Sequence, residues 1–197
     1  MNLGVLISGR GSNMVALAQA CARDDYPAQI AVVVSNQPGV AGLDKAAAMG
    51  LSTELIDHRD FPDRDAFEAR LIELLQQHNV QLVCLAGFMR LLSRRFIEAF
   101  RDHILNIHPS LLPSFPGLRA HEQALEHGVR ISGCTVHLVT EDLDAGPILL
   151  QAAVPVQQDD SVDALAARIL EQEHQIYPEA VRLFVEGYLN PHGALSI

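Results

Sequence analysis

Residues 30–36 read IAVVVSN and residues 82–87 read LVCLAG, two runs with apolar side chains on both of their faces. Side chains on a strand alternate between faces, so a strand wet on one side reads as apolar–polar alternation. A run lacking that alternation belongs to a sheet covered on both sides, the habit of parallel sheets with helices above and below. Strand candidates of this kind fall at residues 3–7, 30–36, 52–56, 81–86 and 104–108. Helical periodicity lies between them, at 13–23, 41–49, 66–79 and, more briefly, 94–100. Strand, helix, strand at this spacing predicts a parallel sheet with right-handed crossovers.

Past residue 108 the texture changes. A loop carrying Pro109, Pro113 and Pro116 leads to a short helical pattern at 121–127. Two more strand candidates follow, 131–140 and 147–156, joined by EDLDAG, and so brief a connection predicts an antiparallel pair. One long helical pattern closes the chain from Val162 to about Gly187, with a bend expected at Pro178. The fold class that emerges is α/β: a Rossmann-like, mostly parallel sheet with helices on both faces and an antiparallel C-terminal strand pair. Neither linker, repeat nor low-complexity segment interrupts it, so residues 1–197 read as a single domain. Leu112-Pro113 is a candidate for a cis bond.

A chain of 197 residues, 49% of them apolar, can fill one substantial core and is not disordered. Its formal net charge of -10 argues against a nucleic-acid footprint, which needs a basic face. Cys21, Cys84 and Cys134 are odd in number and far apart, with no metal or disulfide spacing, which points to a reducing cytoplasm. The start MNLGVLISGR lacks a basic leader, and no apolar run approaches the ~20 residues of a membrane span.

Three features carry chemistry. LISGRGSNM sets Gly9, Gly11, Ser12 and Asn13 between the first strand and first helix. Backbone N–H groups at a helix start receive phosphate, and glycine lets the anion approach. The third glycine of a dinucleotide fingerprint would fall at Met14, and the second strand ends in Ser35-Asn36 without an acid, so a phosphate monoester fits better than NAD. A plain tight turn is the alternative.

Asn106 and His108, two apart on a strand, point the same way, while Leu105 and Ile107 pack on the other side. An amide beside an imidazole grips a carbonyl-type oxygen and stabilises charge developing on it. A carboxylate nearby would favour the imidazolium; Asp144 in DLDAGP is the candidate, with Asp142 as rival. The alternative is a strand-end histidine bonded to backbone.

Glu173 falls within the apolar stripe of the last helix, between Ile169 and Ile176. A carboxylate there needs a partner or a cleft, since burial of an unpaired charge is costly. Arg64 lies at a helix start, where Asp63 and Asp65 can compensate it. HEQAL at 121–125 fails the zinc-protease pattern because position 125 is Leu. His137 reads as a satisfied, half-buried strand histidine, and no Ser or Cys occupies a nucleophile elbow.

Together, VLISGRGSN, LAGFMRLLS, LNIHPSLLPSFPG, TVHLVTEDLDAGPILLQ and QEHQIYP, in that order along nearly the whole chain, resemble the folate-dependent phosphoribosylglycinamide formyltransferases of the formyltransferase superfamily. The resemblance implies transfer of the formyl group of 10-formyltetrahydrofolate, a co-substrate, to the amine of glycinamide ribonucleotide in purine synthesis, without a metal. It implies that Asn106 and protonated His108 stabilise the oxyanion while Asp144 keeps His108 charged and, through water, helps move the proton. It assigns the ribonucleotide to Gly11, Ser12, Asn13, Leu170, Glu171, Gln172 and Glu173. The folate falls to Arg64, Met89, Arg90, Leu91, Leu92, Asn106, Thr140, Glu141, Asp142, Leu143 and Asp144. About residues 1–100 would form the ribonucleotide-binding half and about 101–197 the catalytic and folate-binding half, in a cytoplasmic monomer or homodimer acting on small molecules.

Arg119 stands where relatives often carry His and receives no role, nor does the tail NPHGALSI. The main rival reaction is hydrolysis of 10-formyltetrahydrofolate, whose enzymes usually carry an N-terminal regulatory domain; this chain begins at the first strand. A methionyl-tRNA formyltransferase would want a basic extension, and a non-catalytic nucleotide-binding module leaves Asn106, His108 and Asp144 without a joint purpose.

Overall fold

A computed structural model of the chain describes residues 1–189. The tail NPHGALSI, residues 190–197, lies outside the described residues. In chain order the elements are β1 (Asn2–Ile7), α1 (Ser12–Cys21), β2 (Gln29–Ser35), α2 (Ala41–Ala48), β3 (Thr53–Leu55), α3 (Arg64–Gln77) and β4 (Leu82–Leu85). They continue with α4 (Arg94–Ala99), β5 (Ile104–His108), α5 (Ala120–Glu126), β6 (Ile131–Leu138), β7 (Ile148–Pro155) and α6 (Val162–Val185). The strands form one seven-stranded sheet in the order β3-β2-β1-β4-β5-β6-β7, mostly parallel with an antiparallel C-terminal pair. The alternation of apolar runs and helical patterns therefore builds an α/β fold. The chain divides into two compact units, Met1–Leu105 and the residues from Asn106 on.

In the first unit β1 is central, with β2 parallel on one side and β4 parallel on the other. Leu3, Val5, Leu6 and Ile7 of β1 are fully enclosed, as are Val32 and Val33 of β2 and Leu82 and Val83 of β4. That is the burial a run without alternation calls for. The strand order reverses at β1, and open α/β sheets receive ligands at the carboxyl ends of such strands. There the loops leaving β1 and β4 are tied together. Ser8 N donates to the Gly87 carbonyl at 3.1 Å, and Met89 N donates to Ser8 Oγ at 2.8 Å. The Ser8 hydroxyl in turn donates to Asn36 Oδ1 at 2.6 Å.

Side-chain caps set two helix starts in this unit. Asp63 Oδ1 accepts from Ala66 N at 2.8 Å to open α3, and Ser93 Oγ accepts from Phe96 N at 3.3 Å to open α4. Ser93 also donates its N–H to Glu68 Oε1 at 2.9 Å and its hydroxyl to Glu68 Oε2. Glu68 is only 1% exposed, so these two bonds supply the hydrogen bonding that a buried carboxylate requires.

In the second unit β6 and β7 pair in register from Ile131 opposite Pro155 to Val136 opposite Leu150, then slip so that His137 opposes Ile148. Leu149 is the extra residue, and a bulge of this kind re-aims the side chains beside it. The helix α6, capped by Ser161 Oγ on Ala164 N at 3.1 Å, packs on both strands. Its stripe of Leu165, Ile169, Tyr177, Ala180 and Val181 is buried, with Glu173 among them. It continues through Pro178 to Val185, the ring withholding one amide from the His174 carbonyl without ending the helix. Leu112-Pro113 is cis.

All three cysteines are free thiols, Cys84 buried in β4 and Cys134 buried in β6. Burial, with the Glu173 charge adding to it, pushes the Cys134 thiol up to about 12, and burial pushes Cys21 up to about 11. Among the described residues no helix is long and apolar enough to cross a membrane.

Candidate active site

The end of β5 carries Asn106 and His108 on one face, and Leu105 and Ile107 are buried. His108 Nε2 lies 2.9 Å from the Phe115 carbonyl oxygen, which can only accept, so Nε2 carries a proton. His108 Nδ1 faces Asp144 Oδ2 at 3.4 Å. A second proton on Nδ1 makes the ring an imidazolium with an acceptor opposite each nitrogen. Asp144, and not its rival Asp142, is therefore the carboxylate that the fold sets against His108.

Asp144 is itself held by Gly117, whose N–H donates to Oδ2 at 2.8 Å. Its φ of 50° lies in the left-handed region that Asp tolerates better than most residues. Phe115 also sits there, at φ 55°, unusual for a bulky side chain, and this turn is what presents its carbonyl to His108. The loop carrying both contacts is fastened to β6 and β7. Thr135 Oγ1 accepts from Leu112 N at 3.0 Å and donates to the Ser110 carbonyl at 2.7 Å. Gln151 Nε2 donates to the Leu112 carbonyl at 3.0 Å.

The cluster contains a residue that the sequence reading took for a satisfied, half-buried strand histidine and that the structure buries within the site. His137, 2% exposed, places Nε2 3.1 Å from Asn106 Nδ2 and 3.7 Å from Asp144 Oδ1. Its Nδ1 donates to the Leu138 carbonyl at 2.8 Å. Burial pushes its imidazole below the ordinary histidine range, against smaller upward pulls from the Leu138 bond and the Asp144 charge. The available signal was a histidine inside a strand buried from Ser132 to Leu138, where a polar ring must find partners. His121, on α5, is pushed down by burial and then by the His108 charge, which places it in the same electrostatic neighbourhood.

The loop after β1 reaches α1 through Gly11, at φ 67°. A Cβ there would lie 2.7 Å from the Gly42 Cα, so both backbone conformation and packing demand glycine. The start of α1 has no side-chain cap and no acid in its first turn, which leaves its positive dipole end uncompensated by a carboxylate. Ser12 is half-buried and Asn13 buried.

Arg64 is the exposed first residue of α3. Met89 and Leu91 are 69% and 65% exposed, Leu92 is half-buried, and the Arg90 guanidinium lies 5.6 Å from the Phe67 ring centroid. Thr140 to Leu143 form an exposed connection leading to Asp144. Of the α6 candidates, Leu170 and Gln172 are half-buried, Glu171 is exposed and Glu173 is buried. Arg119 pairs with Glu122 at 3.2 Å at the start of α5. Among the described residues no group of His, Cys, Asp and Glu is placed to hold a metal ion.

Comparison with known proteins bears on this arrangement. The formyl transferase family model matches residues 1–181. Phosphoribosylglycinamide formyltransferase of Escherichia coli is 44% identical over 98% of this chain and 91% of its own length. The human trifunctional purine biosynthetic protein adenosine-3 is 49% identical over 94% of this chain, which spans only 18% of that protein. The crystal structure of glycinamide ribonucleotide transformylase 1 from Symbiobacterium toebii superposes with a TM-score of 0.94 at 53% identity, covering 96% of this chain and 89% of that one. With a family model spanning most of its length and a near full-length relative well above the identity at which families diverge, the chain belongs to the formyl transferase family, among the phosphoribosylglycinamide formyltransferases.

Proposed function

We propose that the chain transfers the formyl group of 10-formyltetrahydrofolate to the amine of glycinamide ribonucleotide, a step of purine biosynthesis. The observation that carries this reading is the cluster of Asn106, His108 and Asp144, with an acceptor opposite each ring nitrogen of His108. In the proposed mechanism the amine attacks the formyl carbon and its carbonyl becomes an oxyanion. His108 donates to the oxyanion through Nδ1–H, giving up its long 3.4 Å contact with Asp144 Oδ2 for that bond while Nε2–H stays on the Phe115 carbonyl, which requires the imidazolium. Asn106 donates beside it through Nδ2. Donors fixed in advance at a developing negative charge are worth several kcal/mol each. Asp144 favours the second ring proton and, through water, accepts a proton from the attacking amine. The bond to folate N10 then breaks, that nitrogen takes the proton, and the formyl group remains on the amine.

The ribonucleotide phosphate is assigned to the start of α1 with Gly11, Ser12 and Asn13, and the rest of that substrate to Leu170, Glu171, Gln172 and Glu173. The folate is assigned to Arg64, Met89, Arg90, Leu91, Leu92, Asn106 and the residues from Thr140 to Asp144. On this reading the chain is a single formyltransferase domain, cytoplasmic, acting on two diffusible substrates as a monomer or homodimer, states that sedimentation distinguishes.

The test is a folate-absorbance assay with and without glycinamide ribonucleotide. Turnover that depends on the amine is expected. Equal turnover in its absence would assign hydrolysis instead, and ribonucleotide binding without turnover would reduce the chain to a binding module.

A further inference from the structure

We infer that His137 is a positioning residue that decides which end of the Asn106 amide faces the formyl oxygen; this rests on the reaction proposed above. The Leu138 carbonyl accepts from Nδ1 at 2.8 Å, so the Nδ1 proton is fixed. A neutral ring then has no proton at Nε2, only a lone pair, and that lone pair lies 3.1 Å from Asn106 Nδ2. An amide N–H satisfies it. The flipped amide would set its oxygen against the same lone pair, two acceptors in a buried place. His137 thus holds the amide with its nitrogen inward, and the second N–H of Nδ2 is left to meet the oxyanion. In the reverse orientation a carbonyl oxygen would meet the developing negative charge and raise the barrier.

The groups around the ring agree with a neutral state. His137 is 2% exposed, and burial lowers its affinity for a second proton. The charged or titratable groups facing it are Asp144, with Oδ1 at 3.7 Å from Nε2, and His108, whose positive charge opposes a second cation. The fold builds the arrangement deliberately. The slip between β6 and β7 falls at His137, and Gly146 packs so closely on Leu138 that a Cβ would lie 1.9 Å from the carbonyl oxygen that fixes Nδ1–H.

Two measurements test this. In nitrogen NMR of the wild-type protein at neutral pH, His137 should present a protonated Nδ1 and an unprotonated Nε2; a proton on Nε2 overturns the assignment, whatever the reaction. In kinetics, His137→Phe keeps a planar ring but removes the acceptor. It should lower kcat about 100-fold, the scale of one lost oxyanion donor, with both KM values little changed. His137→Gln, whose side-chain oxygen can accept from Asn106, should recover about tenfold or more of that loss. In an Asn106→Ala background, His137→Phe should cost less than about threefold, since residues acting as a unit are not additive. The same loss in both backgrounds would make His137 merely structural. Absence of amine-dependent turnover in the wild type would instead sink the proposed reaction and leave the tautomer result standing.

Discussion

His108 is held at both ring nitrogens and Asn106 at one amide hydrogen, so truncation at either removes a donor already aimed. His108→Ala and Asn106→Ala should each lose roughly 100-fold or more in kcat, measured by steady-state assay. Near-normal turnover in both would end the mechanism. Asp144→Asn keeps the shape and can still accept from Gly117 N, but it loses the negative charge that faces His108 Nδ1 at 3.4 Å. A fall in kcat of about 100-fold with KM little changed is expected. The shared face of Asn106 and His108 was legible from strand alternation alone. The choice between Asp144 and Asp142 was not, because it depends on how one loop turns at a left-handed residue. Nor was the partnership of His137 with Asn106, since 31 positions separate them and only strand pairing makes them neighbours.

At the level of elements, the connection between β6 and β7 is where backbone geometry decides the site. A methyl group at Gly146 would meet the Leu138 carbonyl oxygen at 1.9 Å and Thr140 Cγ2 at 3.2 Å. Gly146→Ala should therefore destabilise by about 1–3 kcal/mol, the usual cost of overpacking, and lower turnover by displacing Asp144. Urea unfolding and the folate assay check the two effects. Sequence patterning located the strands and helices because apolar runs and helical periodicity are local. The ends moved by a residue or two in places, as at α3, which starts at Arg64 behind its Asp63 cap and not at 66, whereas the starts capped by Ser93 and Ser161 fell where the patterns put them. The extra Leu149 left no mark in the sequence, because a bulge exists only relative to a partner strand. Pro178, the expected bend, lies within an unbroken α6, whose apolar stripe is buried on both sides of it.

For the molecule as a whole, His121, His137 and His174 all have their imidazoles pushed down, in each case first by burial. The unfolded chain, where histidine titrates near 6.5, then binds more protons than the folded one as pH falls below that value. Stability rises with pH wherever the unfolded state holds more protons, so this contribution is fully present above about 6.5 and is lost on acidification. Asp57 and Asp160, held down near 2 by hydrogen bonds from Arg59 and Arg168, add their own loss only below the ordinary aspartate value of about 3.9. The interval between belongs to the histidines. Calorimetry suits a chain without tryptophan, and Tm should hold between pH 8 and 7 and fall from about 6.5 towards 5. A Tm that climbed over that interval would contradict the assignment.

The two buried cysteines have a use of another kind. Cys84 lies in the first compact unit and Cys134 in the second, each enclosed in a strand. The thiolate is the form that reacts, so an alkylating reagent modifies such a thiol only when its strand opens. The native chain thus carries a clock in each half, and the two labelling rates, separated by peptide mass, report whether the halves come apart together or one before the other.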